Sequence, residues 1–246
     1  MRPPTRGRPA PAALLLGEGP LRRLALPILC EVPGLLHGFT LRGSDPDRVL
    51  REAAGRPLPL RTPRQAHGAT VRCVTSPAAP QGEGDALITS LRGVALGVRA
   101  ADCVPILICD RRAGAVAAVH AGWRGTVAGV LAATLERMRT CYGSRAADLR
   151  VALGPAIGAC CYEVGEEVAE ALLRSDPEAS DCILPGIRPR VDLVGANRRQ
   201  ALRAGVPEER IQSAGRCTFC GGDSLESHRR SRGAARRMTG LIAWRE

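Results

Sequence analysis

Between residues 94 and 153 the chain carries four apolar runs of strand length: Val94–Val98, Val104–Cys109, Ala115–His120 and Leu149–Leu153. None alternates apolar with polar residues, the pattern of strands buried on both faces. Between the third and fourth runs, Val127, Val130, Leu131, Thr134, Leu135 and Met138 recur at spacings of three and four, marking one face of a helix that Gly143 would end. Val164–Leu173 and Val194–Ala204 read as further amphipathic helices, and Thr70–Thr75, Ile211–Ser213 and Gly240–Trp244 as strands. Strands and helices alternate without a linker or repeat, so the expectation is one α/β domain over residues 21–246.

The N-terminal part is less regular. Leu21–Phe39 reads as short strands broken at Pro27 and Pro33, and residues 41–64 as polar, Pro- and Gly-punctuated loop. Residues 1–20 read as a loose arm, because the apolar patch Ala12–Leu16 is too short and too Pro-flanked for a secretory signal. No run approaches the ~20 apolar residues of a membrane span. A cytoplasmic protein with no membrane partner is therefore expected.

The net charge of +11 invites a nucleic-acid reading. All 35 basic residues are arginine, however, and they are scattered, with one local cluster at Arg229, Arg230, Arg232, Arg236 and Arg237. Single-strand binders also use stacking aromatics, and only 2% of this chain is aromatic. A solvated basic surface, with no specific nucleic-acid partner, fits better. The absence of lysine excludes a Schiff-base enzyme, a pyridoxal phosphate enzyme and a P-loop. The ten cysteines have no secretory context that would make them a disulfide framework. Most read as small core residues. Cys217-Thr218-Phe219-Cys220, a single C-x-x-C, and Cys160-Cys161 are both read as packing.

Chemistry concentrates at three residues. His67 precedes a strand in Gln65-Ala66-His67-Gly68, and His120 ends an apolar run and opens Ala121-Gly122-Trp123-Arg124-Gly125. A titratable group at a strand end followed by a Gly-flanked turn is a common α/β site geometry. A helix starting near Thr126 would present N–H groups to an anion. Cys103 stands between two strand runs in Ala101-Asp102-Cys103-Val104-Pro105. Two imidazoles and a thiolate suit a three-ligand zinc site with an open fourth position. Cys103 as a nucleophile activated by a histidine is the alternative. The spacing of the three does not choose between these and ordinary core roles.

At these residues the chain resembles the laccase-domain or polyphenol oxidase family, also called a purine nucleoside phosphorylase or peptidoglycan editing factor family. The matching pieces are Gln65-Ala66-His67-Gly68, Gly84-Asp85-Ala86-Leu87-Ile88-Thr89, Ala101-Asp102-Cys103-Val104-Pro105, His120-Ala121-Gly122-Trp123-Arg124-Gly125, Gly154-Pro155-Ala156-Ile157-Gly158, Cys161-Tyr162-Glu163-Val164, Asp192-Leu193 and Cys217-Thr218. The resemblance implies a single-domain layered α/β/β/α sandwich with mixed β-sheets. It implies that His67, Cys103 and His120 bind a metal, usually zinc, with copper as the alternative. It departs at Phe39-Thr40-Leu41-Arg42-Gly43, where a loop usual in the family is shortened, at Ala100, where the family has Thr, and at Leu225-Glu226, where it has an aromatic pair before Ser227-His228-Arg229-Arg230.

The resemblance implies a small-molecule substrate. The first functional expectation is phosphorolysis of adenosine, inosine and methylthioadenosine, with adenosine deamination. Here Arg124, beside the helix start, would hold phosphate, and His67, Cys103 and His120 would be catalytic as well as metal-binding. The second is a cytoplasmic amidase editing a peptidoglycan precursor, with Cys103 or zinc attacking. Copper-dependent polyphenol oxidation ranks third, since a multicopper centre needs more imidazoles than the four histidines present. The assembly expected is a monomer or homodimer.

Overall fold

The computed structural model describes residues 12–78 and 82–245. Its strands are β1 (Leu14–Leu16), β2 (Arg23–Ala25), β3 (Leu35–Thr40), β4 (Leu60–Arg61), β5 (Val71–Cys73), β6 (Ala86–Thr89), β7 (Ala95–Ala100), β8 (Val104–Asp110), β9 (Ala115–Ala121), β10 (Leu149–Leu153), β11 (Ile183–Leu184), β12 (Arg190–Val191), β13 (Ile211–Ser213) and β14 (Met238–Trp244). The α-helices are α1 (Pro27–Cys30), α2 (Pro46–Ala54), α3 (Trp123–Val127), α4 (Val130–Tyr142), α5 (Glu166–Ser175) and α6 (Leu193–Arg203).

Two mixed six-stranded sheets form the centre, in the orders β1-β2-β3-β14-β7-β4 and β13-β10-β8-β9-β6-β5. The apolar runs are apolar throughout because successive residues serve different layers. Leu107, Cys109, Val116 and Ala118 face the first sheet and pack with Phe39, Leu96, Val98 and Ile242. Their neighbours Ile106, Ile108, Ala117 and Val119 face outward, onto Val130, Leu131, Leu135 and Met138 of α4 and onto α5 and α6. On the far side of the first sheet, Leu36, Ala95, Leu241 and Ala243 are covered by Val49 and Leu50 of α2. The result is the single-domain α/β/β/α sandwich expected from the family resemblance.

Several local expectations change. The segment 41–64 is not all loop: Asp45 accepts N–H bonds from Asp47 and Arg48, Pro46 occupies the first turn, and Gly55 ends α2 in the left-handed region at φ 72°. Pro27 begins a helical turn instead of merely breaking a strand. The expected arm is partly sheet, since β1 pairs antiparallel with β2; residues 1–11 lie outside the described residues. The helix expected from Val127 is two helices, because Gly129 adopts φ 75° and interrupts the ladder between α3 and α4. Ala86–Thr89, quoted only as a motif, is the fully buried strand β6. His37, on β3, is buried and its Nε2 accepts the backbone N–H of Leu26 at 3.2 Å. No helix among the described residues is long and apolar enough to cross a membrane.

Candidate active site

His67, Cys103 and His120 come together although each arrives from a different part of the fold. His67 lies in the connection from β4 of the first sheet to β5 of the second. Cys103 lies in the turn from β7 of the first sheet to β8 of the second. His120 is near the end of β9, paired opposite Pro105. One donor atom from each of the three lies within 4.8 Å of the other two, and the two imidazoles meet edge to face at 4.9 Å between centroids.

Backbone geometry makes this convergence achievable. His67 itself takes φ 61°, and Asp102, ahead of Cys103, takes φ 88°. Such positive φ is costly for residues other than Gly and persists only when the surroundings over-determine it. Around His67 they do. The buried Asp85 carboxylate accepts the backbone N–H groups of Ala66, His67 and Gly68 at 3.2, 2.9 and 2.7 Å. Gln65 reads the edge of β7 with both ends of its amide, donating to Arg99 O at 2.7 Å and accepting from Arg99 N–H at 2.8 Å. Asp102 is held by the Thr218 hydroxyl and by Arg229 N–H, at 2.7 Å for the latter.

Asp85 has a second task. Its Oδ1 lies 2.9 Å from His120 Nδ1, and both side chains are buried. A proton on Nδ1 leaves Nε2 for the site, the carboxylate–histidine arrangement that orients metal-binding imidazoles. Burial disfavours the charged imidazole, but the bonds to Asp85 and Cys103 outweigh it and lift the His120 pKa to about 9. Burial raises the Cys103 thiol, yet its contacts with His120 and His67 prevail and bring it down to about 6. The Asp85 carboxyl is held below its usual range: burial opposes this, and the His120 and N–H bonds win.

The glycines of His120-Ala121-Gly122-Trp123-Arg124-Gly125 have steric reasons. A Cβ on Gly122 would sit 2.9 Å from Cys103 Sγ and 3.3 Å from His67 Cδ2. One on Gly125 would sit 3.1 Å from Gly68 O. The short helix α3 is anchored from α6: Asn197 Nδ2 donates to Thr126 Oγ1 at 2.9 Å and Gln200 Nε2 to Thr126 O at 2.7 Å.

The three donors open onto a cavity of about 550 Å³, within the range typical of small-molecule sites. Its wall carries Arg64, Arg99, Arg229 and Arg237, together with Tyr162 and His228. Arg229 spans the Tyr162 ring at 5.4 Å and donates to Glu163 O. Arg64 pairs with Glu83 at 2.9 Å. Among the described residues Arg99 and Arg237 have no ion-pair partner. Arg124 is exposed, stacks over the Trp123 ring at 4.4 Å and is not part of the cavity wall.

Asp85, Gln65 and Tyr162 stand in the matching motifs, but their spacing assigned them no role. Arg229 and Arg237, from the local cluster expected to be solvated surface, line the cavity wall, whereas Arg64 and Arg99 had no local pattern separating them from the other basic residues. Cys160, Cys161, Cys217 and Cys220, read as packing, are instead gathered in one group whose sulfurs all lie within 4.8 Å of one another, with Cys160 and Cys220 exposed.

Residues 45–245 match the family model described as multi-copper polyphenol oxidoreductase laccase. Over 196 residues, 74% of this chain and 71% of the relative, the sequence is 39% identical to purine nucleoside phosphorylase YlmD of Geobacillus stearothermophilus. Over 149 residues it is 41% identical to adenosine deaminase RL5 from an unknown prokaryotic organism, an alignment that spans 59% of this chain and 56% of that one. The crystal structure of the hypothetical protein YfiH from Bacillus licheniformis superposes with a TM-score of 0.83 at 26% identity, covering 91% of this chain and 96% of the other. With the fold, the motifs and most of its length in agreement, the chain belongs to the multi-copper polyphenol oxidoreductase laccase family.

Proposed function

We propose that the protein is a metal-dependent purine nucleoside phosphorylase, acting on adenosine, inosine and methylthioadenosine, with adenosine deaminase activity. The observation that carries this reading is an arginine-walled cavity with a His2Cys donor set at its base. The names of the relatives supply the substrate class.

The donor set suits zinc. Two imidazoles and a thiolate are borderline-soft ligands, three protein donors leave a fourth position open, and Asp85 fixes the His120 tautomer. His67, Cys103 and His120 would hold the ion, with copper as the alternative occupant. When bound, zinc supplies Lewis acidity and acidifies water towards neutrality.

The chain's own residues do the remainder. In phosphorolysis a phosphate oxygen bonds to C1′ of the ribose, the N-glycosidic bond breaks, and the leaving base takes up a proton. Arg99 and Arg237, with Arg64 and Arg229 on the same wall, bind and orient phosphate and offset charge in the transition state. Tyr162, packed under Arg229, supplies an aromatic wall for a purine. Arg124 lies outside the wall and adds positive charge near Tyr162. Asp85 and Gln65 are positioning residues: Asp85 holds the His67 N–H and His120 Nδ1, and Gln65 ties the segment carrying His67 to Arg99 of β7.

Purified protein incubated with adenosine and phosphate should release adenine and ribose 1-phosphate, and adenosine alone should give inosine. Neither product with zinc-loaded protein would overturn the reading. Cys103 between two imidazoles also favours a second one, an amidase acting on a cell-wall precursor. Precursor cleavage that survives metal stripping and disappears in Cys103→Ser would support that alternative.

A further inference from the structure

The four-cysteine group has the composition and closeness of a second metal centre and shares no ligand with the cavity donors. Its ligands come from two loops: Cys160 and Cys161 from the segment after β10, Cys217 and Cys220 from the segment after β13. The backbones run side by side there, with Ala156 bridging Cys217 in parallel and Thr218 N–H donating to Ala156 O at 2.9 Å. Four sulfurs within 4.8 Å, with Cys160 and Cys220 at 3.6 Å, are more than a disulfide uses. They match one ion about 2.3 Å from each sulfur, whose tetrahedral edges are about 3.8 Å.

The local backbone is built for a thiolate. Gly158 N–H points at Cys217 Sγ at 3.2 Å, a contact that favours the thiolate. The sequence Cys217-Thr218-Phe219-Cys220-Gly221-Gly222 folds back on itself, with Gly221 N–H donating to Cys217 O at 2.8 Å. A Cβ on Gly221 would lie 2.2 Å from that carbonyl oxygen, and Gly222 takes φ 97°. Both glycines are needed to wrap the turn round the sulfur.

We propose that Cys160, Cys161, Cys217 and Cys220 bind one structural zinc ion as a closed tetrathiolate site. Each loop acts on the cavity wall through the residue that follows a ligand. Tyr162 follows Cys161 and lines the wall, and Thr218 follows Cys217 and holds Asp102 beside Cys103. The ion would fasten these two pieces of wall together, while its four protein ligands leave no position for substrate.

The proposal does not rest on the enzymatic reading, and its test does not use activity. Elemental analysis of the full-length protein purified with zinc should give about two equivalents per chain, because both a closed and an open site fill. The His67→Ala/His120→Ala variant should keep about one, and its cobalt-loaded form should show the intense visible absorption of tetrahedral thiolate-bound cobalt(II). Adding Cys217→Ser and Cys220→Ser should remove both signals. Zinc-edge X-ray absorption of the wild type needs no variant to fold: it should fit between about two and three sulfur neighbours per zinc. About one zinc with about four sulfurs would uphold this site and break the cavity-metal reading. About one sulfur per zinc, no metal retained by the double-alanine variant, or these cysteines joined as disulfides would overturn the proposal.

Discussion

His37 and His120 are both buried on central strands, 8% and 2% exposed, yet the fold drives them in opposite directions. His37 receives a backbone N–H from Leu26, so it must keep a lone pair on Nε2. Burial pushes its pKa down to about 4. His120 faces the Asp85 carboxylate through Nδ1 and Cys103 through its other edge, and its pKa is lifted to about 9. Burial is nearly equal, so the partner decides. Where no anion faces the ring, burial keeps a histidine neutral and structural. A carboxylate opposite a ring nitrogen makes an oriented, basic histidine whose second nitrogen is available for chemistry.

Replacing each member of this comparison tests it. His120→Ala should lower kcat/KM for adenosine phosphorolysis by about a thousandfold, several kcal/mol of transition-state stabilisation, because a metal ligand is lost. A loss under tenfold in steady-state kinetics would place His120 with His37 as a packing residue. Asp85→Asn keeps the shape and removes the charge. It should cost about 10–100-fold in activity or zinc affinity, the usual consequence of losing a ligand's hydrogen-bond partner. Zinc titration with a competing chelator would read it. Arg237→Gln should raise KM for phosphate about tenfold and change kcat less, since it removes one charge-assisted contact from the wall. Equal loss in both parameters would place Arg237 at the reacting atoms.

His37→Gln should leave turnover near wild type and change the pH dependence of stability instead. The folded-state pKa lies below the ordinary 6.5, so between those values the unfolded chain binds more protons. The stability linked to His37 is complete above pH 6.5 and is lost as pH falls towards 4, by about 3 kcal/mol in all. Glutamine can still accept the Leu26 N–H and does not titrate. Urea midpoints measured from pH 7 to 4 should therefore fall less steeply in the variant. Parallel slopes would show that His37 is not the titrating group.

Sequence patterns reached different parts of the molecule unequally. The runs forming β7 to β10 were legible because strands buried on both faces have no polar positions to confuse the period. Helix α2 was hidden by its short apolar face, Val49 and Leu50, although Asp45, Pro46 and Gly55 spell its two ends. The three donors could be named from their motifs. Their convergence could not be read from spacing, because it depends on strands of two sheets lying over one another. Asp85 shows the limit of local pattern. It looks like the polar start of a strand, and its partners lie 17 to 35 positions away in sequence. Arg229 and Arg237 belong to the C-terminal arginine cluster, but Arg64 and Arg99 look like any other of the 35 arginines until the fold brings all four to one wall.

Two of the three cavity donors sit on crossings between the sheets, at the β4–β5 and β7–β8 connections, so the site measures how the sheets are stacked. Sliding one sheet over the other by about an ångström would pull His67 and Cys103 away from His120 without any of the three being substituted. The layer between the sheets, with Leu107 and Ile242 among its residues, thus behaves as a distant tuning element. Substitutions there would register as altered metal retention before the fold gives way, and occupancy of the site would, by linkage, hold the two layers in register.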